Sequence, residues 1–298
     1  MGHAKQGDQV IRVNMLEHIK AYSDLVKPEL PLAAGICVVA GQVLVLGDFA
    51  TIKTTILGFL VGFFLSGSAM ISNDYFDREV DRINRPERPL PSGRVTAKEV
   101  WALAITFGVL GHFGAAYIGI TSLVIALIIW LIGQTYNWKG KEAGLVGNMM
   151  VSSSVASTFI IGGISVDGIT NGLVWTFAGL AFFFDLGEEI LGGIMDVSGD
   201  GIRGSRSLIR TRGRDFALKS SGLAFLAFIL VSFIPYLAEW LGSSYLVLIC
   251  VIDFTIIYYY SRLWKIHSPD EGRSIIRNLY LITTTFILAV VWMRIANV

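Results

Sequence analysis

Runs of about twenty apolar residues, separated by short charged stretches, recur along almost the whole chain. A helix needs roughly 20 apolar residues to cross the hydrocarbon core of a bilayer. Windows of that length predict nine spans, at 28–49, 54–72, 97–117, 119–136, 143–164, 172–195, 216–238, 242–261 and 275–295. Lipid offers no partner to a free backbone N–H or C=O, so spans of this kind are helical. The pattern therefore predicts an all-α polytopic membrane protein, preceded by a polar N-terminal segment, residues 1–20.

Composition agrees: 53% of residues are hydrophobic and only 16% charged, which excludes an ordinary soluble domain. The net charge of +1 conceals a strong asymmetry. With nine spans, 22 of the 24 lysines and arginines fall on one face, and only Lys53 and Arg294 on the other. Cytoplasmic loops carry such an excess, so the multi-pass chain is expected in the cell membrane with its N-terminus in the cytoplasm and its C-terminus outside. No basic run with interleaved aromatics points to nucleic acid, and the polar start lacks the apolar stretch of a cleavable signal peptide. Cys37 and Cys250 lie in apolar runs without metal-binding spacing, so a disulfide framework is not expected. Four scattered histidines offer no haem or zinc site, and His112 reads as a packed or hydrogen-bonded interior residue.

Two acidic clusters stand out against this background: Asn73-Asp74-Tyr75-Phe76-Asp77-Arg78-Glu79-Val80-Asp81, and Asp196-Val197-Ser198-Gly199-Asp200. Carboxylates grouped beside a bilayer are costly unless a cation or a function compensates them. They end the second and sixth spans, so topology brings both to the same face, the one expected to be cytoplasmic. On a helix Asn73, Asp77 and Asp81 recur every four residues, with Asp74 one turn before Asp77, so several oxygens share one stripe, and Asp196 and Asp200 have the same spacing. Oxygen-only ligand sets without histidine suit hard cations, and magnesium commonly joins carboxylates to a substrate phosphate. Asn73, Asp77, Asp81, Asp196 and Asp200 are thus candidate ligands for two magnesium ions carrying a diphosphate. The competing reading, a wet helix end interleaved with salt bridges, fits single aspartates better than two clusters on one face.

The segment Asn84-Arg85-Pro86-Glu87-Arg88-Pro89-Leu90-Pro91-Ser92-Gly93-Arg94 follows the first cluster. Three prolines stiffen it against helix formation, and its arginines suit bidentate phosphate contacts, as a lid would require. A positive loop is also what the inside rule produces. After the fourth span, Tyr136-Asn137-Trp138-Lys139-Gly140-Lys141 has two readings. It is an interfacial anchor, or Lys139 neutralises a leaving diphosphate that Tyr136 helps to hold.

The pattern N-D-x-x-D-x-x-x-D, an R-P-x-R-P-x-P-S-G-R loop and a downstream D-x-x-x-D in a polytopic chain together resemble the UbiA superfamily of intramembrane prenyltransferases. That resemblance implies a single domain over 1–298. It implies nine transmembrane helices around a central cavity open to lipid, under a cytoplasm-side cap formed by the loops after the second and sixth helices. It also implies magnesium-dependent prenyl transfer from an isoprenyl diphosphate to a lipophilic acceptor. By motif position, Asp77, Asp81, Asp200, Lys139 and Tyr136 are the implied catalytic set, and Asn73 and Asp196 complete the metal ligands. Lys27, Asn73, Arg82, Arg88 and Arg94, with Tyr136 and Lys139, are the implied substrate contacts. Among branches, the motifs resemble archaeal digeranylgeranylglyceryl phosphate synthases most and chlorophyll synthases next. Gly192-Gly193 and Ser198 depart from that branch, which bears on the acceptor. A quinone precursor or chlorophyllide-type compound therefore remains an alternative acceptor. A cation transporter is the rival of another class, although its acids would be expected nearer the midplane. A CDP-alcohol phosphotransferase lacks support, because its D-G-x-x-A-R element is missing.

Overall fold

A computed structural model describes residues 17–195, 206–266 and 268–297. Among the described residues every regular element is helical. The described residues hold nine long helices in succession: α1 Glu29–Leu46, α2 Ile52–Phe76, α3 Ala97–Ile118, α4 Ile120–Trp138, α5 Leu145–Ile164, α6 Gly172–Met195, α7 Arg214–Ser232, α8 Ser243–Leu263 and α9 Pro269–Ala296. Their positions follow the hydropathy windows, with the largest departures at α7, which ends six residues before its window does, and at α9, which begins six residues earlier than its apolar run. Eight are long and apolar enough to cross a membrane. The other, α6, is equally long at 24 residues but carries Asp185, Glu188 and Glu189. The chain is a multi-pass membrane protein.

Neighbours in sequence pack side by side, α1 on α2, α2 on α3, α5 on α6 and α6 on α7, and α9 returns to touch α1 and α6, which closes the bundle. The largest buried cluster surrounds α6, with Phe159, Phe177, Phe228, Tyr245 and Phe286 among its members. Large apolar side chains such as Phe113, Leu223, Val247 and Phe254 face outward, as lipid contact requires. Lipid tails are as apolar as leucine, so close packing and buried hydrogen bonds hold such helices together. Where α1 crosses α5, Gly41 lies against the Phe159 carbonyl and Gly162 against the Val38 carbonyl, leaving no room for a Cβ at either.

Buried polar groups pin the ends of helices. Gln42 Nε2 donates to Thr54 O at 3.0 Å and Ser165 Oγ at 2.9 Å, tying α1, α2 and the end of α5. Ser232 Oγ donates to Asp253 Oδ2 at 2.9 Å, and Tyr245 OH to Ser232 O at 2.7 Å, joining α7 to α8. His112 bonds the Gly108 carbonyl at 2.7 Å and packs edge-on against Trp130.

Gly162→Val should separate α1 from α5. We expect loss of monodisperse protein in detergent, or a thermal midpoint lowered by several degrees, whereas Gly213→Ala, where a Cβ meets nothing within 4 Å but φ is +83°, should cost about 1 kcal/mol.

Candidate active site

Helix α2 delivers the first acidic cluster and stops at Phe76, where Asp77 (φ −86°, ψ −2°) leads into a short helix, Arg78–Asn84. The register nevertheless continues across the junction. Asp77 N–H donates to Asn73 O at 2.9 Å and Asp81 N–H to Asp77 O at 2.8 Å. The four-residue spacing thus keeps Asn73, Asp77 and Asp81 on one stripe.

Each carboxylate here meets a cation. Lys141 Nζ donates to Asp77 Oδ1 at 2.7 Å, Arg88 Nη1 to Asp81 Oδ2 at 2.6 Å, and Lys27 Nζ to Asp74 Oδ1 at 2.5 Å. All three aspartates are buried, with exposures of 8%, 3% and 2% for Asp77, Asp81 and Asp74. Charges removed from water this far persist only when paired. The Asn73 amide turns its oxygen to Lys141 Nζ at 2.7 Å and its nitrogen to Asp77 Oδ2 at 2.9 Å. Asn137, buried beneath, donates to Ala69 O at 2.9 Å and Ser72 Oγ at 3.1 Å, fastening α4 to α2.

The proline-rich segment folds into successive turns that bring Arg88 over the cluster, with Gly93 at φ +76° closing the last. Val95 is buried, and Thr96 with Glu99 forms a reciprocal cap that starts α3. Arg94 faces away from the stripe, donating to Asp24 Oδ2 at 2.9 Å and Glu87 O at 2.6 Å. Arg82 is exposed and pairs with Glu79 at 2.8 Å. Tyr22, in the helical stretch 17–26, donates to Glu99 Oε1 at 3.0 Å. That bond, with some burial, raises the phenol above its ordinary pKa.

A 3₁₀ turn at Gly140–Glu142 separates the fates of two lysines. Lys139 is exposed and lies over the Trp138 ring at 4.7 Å, while Lys141 turns inward to Asp77. The half-buried Tyr136 ring faces Lys141, 5.9 Å from its Nζ. Gly147 packs on the Gly140 carbonyl and holds this turn against α5.

Beside Tyr136 and Lys141 opens a cavity of about 300 Å³, also lined by Asn148, Glu188, Glu189, Gly192, Gly193 and Ile276. A Cβ at Gly192 or Gly193 would meet no described atom within 4 Å, so the two glycines leave that wall open. One helical turn deeper, Ser152 Oγ donates to Asp185 Oδ2 at 2.8 Å. The acids of α6 were hidden inside an apolar window, and the signal that could have found them is their four-residue spacing from Asp185 to Glu189 on a predicted span. Lys141 was legible only as a second lysine two residues beyond Lys139. Asp196 and Asp200 lie outside the described residues.

The arrangement is a cluster of carboxylates, each held by a cation, beside a cavity in an apolar bundle. Such a set suits a polyanion that arrives with divalent metal. A model described as the UbiA prenyltransferase family matches residues 34–291. The digeranylgeranylglyceryl phosphate synthase of Thermococcus kodakarensis is 34% identical over 278 residues, covering 93% of this chain and 98% of that one. The Archaeoglobus fulgidus protein of the same name is 34% identical over 254 residues, covering 84% and 87%. A solved structure of digeranylgeranylglyceryl phosphate synthase superposes with a TM-score of 0.80 at 28% identity, covering 94% of this chain and 99% of that one. A UbiA homologue from Archaeoglobus fulgidus bound to GPP and Mg2+ shares the fold, with a TM-score of 0.68 at 20% identity and coverage of 93% and 99%.

The two lysines should separate in a stability measurement. Lys141→Met removes the ammonium that faces the buried Asp77 and should lower unfolding free energy by about 3 kcal/mol. Lys139→Met removes a surface charge and should stay within about 0.5 kcal/mol, both read from thermal midpoints in the same detergent.

Proposed function

Because the chain belongs to the UbiA prenyltransferase family, we propose that this intramembrane prenyltransferase transfers a geranylgeranyl group from its diphosphate to geranylgeranylglyceryl phosphate, a step of ether-lipid synthesis. The observation that carries this reading is the cation-paired aspartate stripe beside a cavity within the bundle. The names of the relatives support the same acceptor.

Asn73, Asp77 and Asp81, with Asp196 and Asp200, would hold two magnesium ions. The fit is chemical, since all five are oxygen donors without histidine or thiol, and Asn73, Asp77 and Asp81 share one stripe. Magnesium, when bound, supplies Lewis-acid neutralisation of the diphosphate as it leaves. The residues do the rest. Lys141 takes the role that motif spacing assigns to Lys139, placing a positive charge where the departing oxygens develop theirs, and Tyr136 flanks it. Lys27 and Arg88 contact the outer phosphate oxygens, with Arg82 and Arg94 further out at the rim. The apolar bundle keeps water from the allylic carbon until the acceptor hydroxyl attacks.

The nine long helices are proposed as nine spans, α6 included, with Glu188 and Glu189 on the cavity and Asp185 bonded to Ser152 rather than facing lipid. Arginine and lysine asymmetry then puts the N-terminus in the cytoplasm, the C-terminus outside and the site near the cytoplasmic face.

The test is a magnesium-dependent transfer assay on purified protein in lipid, with labelled geranylgeranyl diphosphate and geranylgeranylglyceryl phosphate, a quinone precursor or chlorophyllide as acceptors. Product with the glyceryl phosphate alone is expected, and Asp77→Ala should reduce turnover at least about a hundredfold while the protein still folds. Product with another acceptor only would reassign the branch. Absence of both product and diphosphate binding would overturn this choice of donor and acceptor.

A further inference from the structure

Asp74 stands outside the four-residue series of Asn73, Asp77 and Asp81 but on the same face, one turn before Asp77 and seven residues, about 20° around the helix, from Asp81. It is 2% exposed, and its Oδ2 is buried without a hydrogen-bond donor. Among the described residues its charge is compensated from two directions: Lys27 Nζ at 2.5 Å from Oδ1, and Arg88 Nη1 at 3.6 Å. These cations come from opposite sides in sequence. Lys27 joins the helical stretch 17–26 to α1, in a left-handed conformation (φ +48°) that a non-glycine residue adopts only when its surroundings hold it. Arg88 comes from the proline-rich turns and also grips Asp81.

One buried carboxylate thereby gathers the N-terminal segment, α2 and the loop at a single point. Two outer contacts, Arg94 to Asp24 and Tyr22 to Glu99, fasten the same segment to the loop and to α3. Lys27 and Arg88 keep side-chain exposures of 23% and 20%. An ammonium has three donors and a guanidinium five, more than these carboxylates engage, so both cations retain N–H groups for a phosphate. Asp74, Asp77 and Asp81 against Lys27, Arg88 and Lys141 make the cluster neutral before anything binds, and hold its phosphate-binding cations in place.

We propose that Asp74 is a positioning residue for the prenyl diphosphate. It ligates no metal, but holds Lys27 and Arg88 over the stripe, and through Lys27 makes the stretch 17–26 a working part of the cap. The proposal rests on the function proposed above and names how that site orders its phosphate contacts.

The experiment measures binding of labelled geranylgeranyl diphosphate and its magnesium dependence, with turnover at saturating donor, for wild type, Asp74→Asn, Lys27→Met and the double variant. Asp74→Asn keeps the shape and removes the charge. It should weaken donor binding roughly ten- to a hundredfold, leave the magnesium half-saturation unchanged and lower saturated turnover less than about threefold. The double variant should bind no worse than the weaker single variant, the mark of two groups acting as one unit. A shifted magnesium dependence, additive losses in the double variant, or unchanged donor binding would each overturn the proposal. If Asp74→Asn does not fold, Lys27→Met and Lys27→Arg decide: loss with methionine and recovery with arginine support it, and equal behaviour of the two refutes it. Wild type that binds no prenyl diphosphate would instead remove the functional reading, and this inference with it.

Discussion

Carboxylates buried beside a lipid phase must meet a positive charge, and that requirement organises one whole end of the molecule. Removing a carboxylate from water costs several kcal/mol after relaxation, and only close, well-directed pairing returns it. Asp74, Asp77 and Asp81 answer it with Lys27, Lys141 and Arg88, drawn from three separate segments. Because each pair crosses between elements, the N-terminal stretch, the proline-rich turns and the 3₁₀ turn after α4 are all fastened to the tip of α2. A loop that hydropathy alone would leave free is ordered by charge.

The bundle beneath is held by a different force. Between helices in lipid there is little hydrophobic gain, so close approach and shared hydrogen bonds decide the packing. Gly41 and Gly162 allow α1 and α5 to meet backbone to backbone, and Gln42 ties the far end of that contact to α2. The cavity opens at the other end, where Gly192 and Gly193 withhold the side chains that would fill it.

Helix α6 joins these two regimes. Its first half is an ordinary buried helix, with Phe177 and Leu180 in the core, while its second half carries Glu188 and Glu189 to the cavity and Asp185 to Ser152. Three acids in one span exceed what lipid-facing helices carry, and they are placed where protein and cavity surround them rather than acyl chains.

The sequence by itself determined the class, the approximate bounds of the long helices, and the aspartate stripe. Those follow from periodicities of one helix and from the bilayer's thickness, which are local constraints. It did not determine which cations serve the stripe. Lys139 and Lys141 are two residues apart and equally basic in sequence, and only the 3₁₀ turn packed on α5 sends one to solvent and the other to Asp77. Arg88 and Arg94 belong to one motif, yet the turns between them aim one at Asp81 and the other at Asp24. Asp74 reads as one more acid of the cluster until Lys27, 47 positions earlier, is seen against it. Pairings of this kind depend on where distant segments meet, and a charge carries no information in sequence about its partner. That was decided by the tertiary structure, because only folding brings the partners within hydrogen-bonding distance and excludes the water that would otherwise make the choice immaterial.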